Sequence, residues 1–173
     1  MNLRKIQLII AAKWALYVLL VFLASILQGT PGLFVLFSVK PVWILPVCVA
    51  VSAMEGEYEG AFLGAFGGLM WDLSAGNVAG FFAILLAFSC FCTGYLFKMY
   101  FRQTRINIIL ISGGATIFMF MADFLFNYLL RNYSGVGNIL LFQMIPTILY
   151  TALISPLPFW AVKKICEKIK VRE

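Results

Sequence analysis

Long apolar runs alternate with short polar breaks along most of the chain. A helix that crosses a bilayer needs about 20 mostly apolar residues. By that measure the runs at 6–27, 33–54, 60–75, 81–97, 106–130 and 139–162 predict six crossings. The fold class is then all-α: a polytopic six-helix transmembrane bundle, with residues 1–173 forming a single transmembrane domain. Gln7, Lys13 and Ser25 interrupt the first run, and Gly29, Pro31 and Gly32 predict a turn after it. Pro41 and Pro46 fall inside the second run and predict a kink or break there. Lys40, beside the first of them, is expected to snorkel toward water. The third run is short, which predicts burial within the bundle or local thinning of the bilayer. Polar breaks at GNVAG and RNYSGVGN are expected to turn the chain, and Pro146, Pro156 and Pro158 lie in the last run.

Within the third run, small residues recur every fourth position. Gly56, Gly60, Gly64 and Gly68 are followed in step by Asp72, Gly76 and Gly80, with Gly67 beside Gly68. In water each glycine costs a helix about 1 kcal/mol relative to alanine. In lipid the same spacing makes a groove that another helix backbone can enter, and melting is prevented by the cost of unpaired backbone. Gly60, Gly64, Gly67 and Gly68 are therefore candidates either for packing inside this bundle or for seating a partner's transmembrane helix. Asp72 and Asp123 are carboxylates inside apolar runs, a placement that marks a structural or functional role. They could face a shared polar cavity, cap helix ends, contact a partner or hold a ligand.

Composition agrees with the pattern. The chain is 63% hydrophobic and 12% charged, with a mean hydropathy of +0.98. Soluble domains carry about 25% charged residues. Of its 13 basic residues, all but Lys40 and Arg131 fall on the side that would hold both termini. Positive charge stays inside, so both termini are expected in the cytoplasm. The net charge of +6 is thus a topology signal and not a nucleic-acid surface. The basic MNLRK start followed by an apolar run reads as a retained first helix, because no small-residue cleavage site follows. Glu55, Glu57 and Glu59 form the exceptional connector on the basic side. They are expected to be a solvated loop or a cytoplasmic docking point for a basic partner segment.

Candidate chemistry is sparse. Histidine is absent, which removes the commonest metal ligand and general base. Cys48, Cys90 and Cys92 lie in apolar runs, and two residues of helix turn Cys90 away from Cys92, so cysteine is expected to act as a small apolar residue. Asn77, Asn127, Asn132 and Asn138 lie near the expected outer ends of helices, with no nucleophile beside a base. The glycine stripe lacks the Lys-Ser/Thr ending of a phosphate-binding loop. No catalytic, cofactor-binding or metal residues are assigned, and no enzyme activity is expected.

The order of residues from Pro46 to Tyr95 resembles the MreD family of rod shape-determining proteins. Pro46 leads into small residues and the glycine-rich helix; GGLMWDL places Asp72 just after the glycines; GNVAG follows; the next run ends in Thr93, Gly94 and Tyr95. Asp123 in the fifth run, the proline-bearing last run and the basic tail extend the likeness over nearly the whole chain. The resemblance implies a non-catalytic protein of the bacterial inner membrane without a cofactor. It implies work beside MreC, RodA and a class B transpeptidase, with MreB filaments reached indirectly on the cytoplasmic side. It also implies a fold similar to the S-components of energy-coupling-factor transporters. Membrane lipid is a further expected contact, and a homodimer stays open.

The alternative is a small-molecule S-component or another small transporter. Ala11 and Ala15 give the AxxxA spacing that S-components use for docking. Against it, the runs hold few polar residues to line a vitamin pocket. A lipid-modifying enzyme lacks the needed histidines and paired acids.

Overall fold

The computed structural model describes residues 3–30, 41–75, 80–101, 104–129 and 144–170. The turns expected at GNVAG and RNYSGVGN, most of the first half of the second run, Lys40 and Arg131 lie outside these residues, apart from Gly80 at the end of the first turn. The described elements are helical: α1 (Leu3–Gly29), α2 (Ile44–Glu55), α3 (Glu57–Ala75), α4 (Phe81–Met99) and α5 (Arg105–Asp123), with a π-helical continuation over Phe124–Leu129. They end with α6 (Ile145–Ile154) and α7 (Pro156–Lys170). Four stretches are long and apolar enough to cross a membrane: Gln7–Gly29, Phe81–Met99, Ile106–Phe126 and Ile145–Lys168.

The second run is broken beside Pro41, within the stretch where its prolines predict a kink or break. Residues 41–43 are not helical, and α2 begins only at Ile44. Pro46 does not kink a long helix. It sits in the first turn of a short one, where a missing N–H costs no intrahelical bond. The same logic places Pro146 and Pro156 at the starts of α6 and α7. The last run is accordingly two helices joined at Ser155, whose hydroxyl donates to the Ala152 carbonyl at 2.7 Å. α2 spans 12 residues, and those from Ile44 to Ala53 are all buried. It rises about 18 Å, well short of a bilayer core of about 30 Å. A helix apolar all round belongs in a core, and α2 touches every other described α-helix.

Gly56 alone separates α2 from α3, at φ 115° and ψ −177°. Only glycine adopts that backbone without strain, and it folds α3 back along α2. α3 begins at Glu57, earlier than the apolar pattern suggests, and spans 19 residues. Its rise is about 28 Å, and it is not among the four stretches both long and apolar enough to cross. α4 then runs antiparallel to α3 in the most extensive helix pairing among the described residues. α1 packs on both α2 and α3, α7 packs mainly on α2, and α5 and α6 pair with each other.

Candidate functional site

The small residues of α3 explain the closeness. A Cβ on Gly67 would lie 2.8 Å from Cys48 Sγ of α2, and one on Gly60 would collide with Ser52 of the same helix. On α3's other side, a Cβ on Gly64 would come within 2.9 Å of the Leu86 carbonyl oxygen in α4, and one on Gly68 would strike the Ala83 backbone. All four glycines are buried against helices of their own chain. The Ser52 hydroxyl completes the three-helix contact by donating to the Cys90 carbonyl. Gly94, quoted only as part of a motif, has the same function from the α4 side: its Cβ would lie 2.6 Å from the Glu57 Cα.

At one end of this core the glutamate connector is folded into the bundle. Lys13 Nζ donates to Glu55 Oε2 at 2.7 Å, the Tyr17 hydroxyl donates to Glu55 Oε1 at 2.6 Å, and the Cys166 thiol approaches the same oxygen at 3.5 Å. One carboxylate thereby ties α1 and α7 to the end of α2. Lys98 Nζ donates to Glu57 Oε1 at 2.6 Å and ties α4 to the start of α3. Glu55 and Glu57 are thus engaged internally, unlike the free side chains of a solvated loop. Glu59 is exposed and has no ion pair among the described residues. Nothing but a solitary lysine in the first apolar run signalled the Lys13 pairing, an acid being one of the partners such a lysine takes.

The hydrogen bond from Lys98, with one to the Glu57 backbone, holds the Glu57 carboxyl below the usual carboxylate range. A depressed acid stabilises the fold above its unfolded value, and that contribution is lost as pH falls through the folded value. The purified protein should therefore lose thermal stability as pH drops below the ordinary carboxylate range. Glu57→Gln should lower the melting temperature at neutral pH and converge on the wild type in acid. Parallel curves for the two proteins would contradict the pairing.

The other end is built on caps. A helix start leaves N–H groups without intrahelical partners, and in lipid each is costly. Asp72, 4% exposed, supplies acceptors for the start of α4. Its Oδ2 accepts from the Gly80 and Ala83 N–H groups at 2.9 and 3.3 Å, and its Oδ1 from Phe82 at 3.1 Å. The carboxylate also meets the positive end of the helix dipole. Gln28 Oε1 of α1 accepts from the Trp43 and Ile44 N–H groups and caps α2 alike. The Thr151 hydroxyl accepts from Val42. Gln28 and Thr151 escaped sequence reasoning because their partners are distant in the chain. Asp123 lies half-buried where α5 widens into its π-helical turn. Phe126 of that turn packs on Phe81 at 5.6 Å, beside the capped start of α4.

Chemically, these groups hold helices to one another. Among the described residues no cluster of three or more His, Cys, Asp or Glu could hold a metal ion. The family model described as rod shape-determining protein MreD matches residues 9–169. No curated protein and no solved structure matches the chain.

Proposed function

Because the chain belongs to the MreD family of rod shape-determining proteins, we propose that it is a non-catalytic membrane scaffold of the cell-wall elongation machinery. Family membership gives it a role in rod shape determination. The finer reading is that it binds MreC and through it supports RodA, a class B transpeptidase and, indirectly, MreB. It would do so from the inner membrane, with six crossings, both termini in the cytoplasm, and a bundle similar to transporter S-components.

One observation supports the scaffold reading most. The carboxylates of half-buried Glu55 and of buried Glu57 and Asp72 are engaged in joining helices of this chain, and the exterior is rich in exposed large apolar side chains. Such a surface meets lipid and other helices. Placement also supports the topology: Lys13, Lys98 and Cys166 converge on the Glu55–Glu57 turn, so basic segments far apart in sequence share one end of the bundle.

Depletion tests the reading. In a rod-shaped host that depends on the chain, its loss should round the cells and disperse wall synthesis while vitamin uptake stays normal. Cells that keep their shape and lose uptake of one vitamin would establish the transporter alternative instead.

A further inference from the structure

Glu59 borders a cleft of about 340 Å³ whose other walls are Trp14, Tyr58 and Phe62. The cleft is shallow and wide open, and its rings are braced by aromatic neighbours. Trp14 meets Phe62 edge-on at 6.3 Å, and Tyr58 meets Phe91 at 6.0 Å. Tyr58 and Phe62 are nevertheless 74% and 71% exposed. The neighbouring acids close onto lysines; Glu59 acts on Lys98 only through space and has no ion pair among the described residues. A lipid chain could cover the rings, but it offers no hydrogen-bond donor to the carboxylate. A guanidinium satisfies both: its plane stacks on aromatic faces, and its donors fork onto a carboxylate. An ammonium offers a point charge without the plane.

We propose that Glu59 and the Trp14–Tyr58–Phe62 cleft form a docking site for an arginine at the membrane boundary of a partner protein's transmembrane helix. This rests on the scaffold reading and supplies the chemistry of its contact. The cleft lies at the end of the bundle where Lys13 and Lys98 lie, so the arginine comes from the side on which basic residues flank transmembrane helices.

A photo-crosslinking experiment tests the site in the full chain and its own membrane. A benzophenone-bearing phenylalanine replaces Phe62, or, for comparison, the exposed Leu153 on α6. The probe at 62 should form an adduct with another membrane protein, within one helical turn of an arginine. Glu59→Gln should reduce that adduct about tenfold, as loss of a charge-assisted pair does, with the chain's melting temperature unchanged. Glu59→Asp should keep part of it, and the probe at 153 should not form it. An adduct with lipid alone, with a second copy of this chain, or with a segment lacking arginine would overturn the proposal. So would a yield indifferent to Glu59→Gln. The two readings separate cleanly: an adduct beside an arginine of a protein other than MreC keeps the site and removes MreC as the partner. An MreC adduct that ignores Glu59→Gln does the reverse.

Discussion

Gly68→Leu is expected to separate α3 from α4 and to leave little folded protein in detergent. A Cβ at this position meets the Ala83 N at 2.6 Å and collides with its Cα. Backbone cannot rotate aside as a side chain can, so the helices themselves must move. Overpacking typically costs about 1–3 kcal/mol, occasionally more, and this site should lie at or above the top of that range. Gly94→Leu should behave alike, since its obstacles are the backbone atoms of Glu57. The informative comparison is Gly114→Leu on α5, where nothing lies within 4 Å of the added Cβ. That change should stay within about 0.5 kcal/mol of wild type. Thermal unfolding in detergent reads all three. Equal stability for Gly68→Leu and Gly114→Leu would show that close approach of α3 and α4 does not hold the bundle.

Asp72→Leu should come second in severity. It strips the acceptors from the Gly80, Phe82 and Ala83 N–H groups. A buried donor without a partner costs about 1–3 kcal/mol, so losing all three should cost on the order of 3 kcal/mol or more. Asp72→Asn keeps one acceptor oxygen but loses the charge that meets the helix dipole. It should cost about 1 kcal/mol and still fold. Hydrogen exchange at the start of α4 gives the local readout: fast exchange at Phe82 and Ala83 in the leucine variant, slower exchange in the asparagine variant. If the leucine variant protects these amides as wild type does, Asp72 is not the cap.

The glycine stripe and the acid after it were legible because their spacing alone puts them on defined faces of one helix. What covers those faces was not legible. A four-residue repeat describes a groove equally well whether the occupant is a partner's helix or the chain's own α2 and α4. Contacts such as Lys13 with Glu55, 42 positions apart, follow from the packed fold and leave no local trace. In the second run the prolines marked the break beside Pro41, but not that Pro46 opens a short helix whose every face is buried; periodicity cannot tell a buried helix from a crossing one. The connector misled through charge. Three glutamates in five residues read as a solvated or docking loop, yet two of them close onto lysines of α1 and α4. Only Glu59 keeps the exposure that the composition suggested.

The scaffold reading is tested most directly by mixing the purified full chain with MreC from the same bacterium in lipid nanodiscs and separating the products by size. The two proteins should elute together as one stable complex. Separate elution of two well-folded proteins would contradict the assignment of this chain as the membrane partner of MreC.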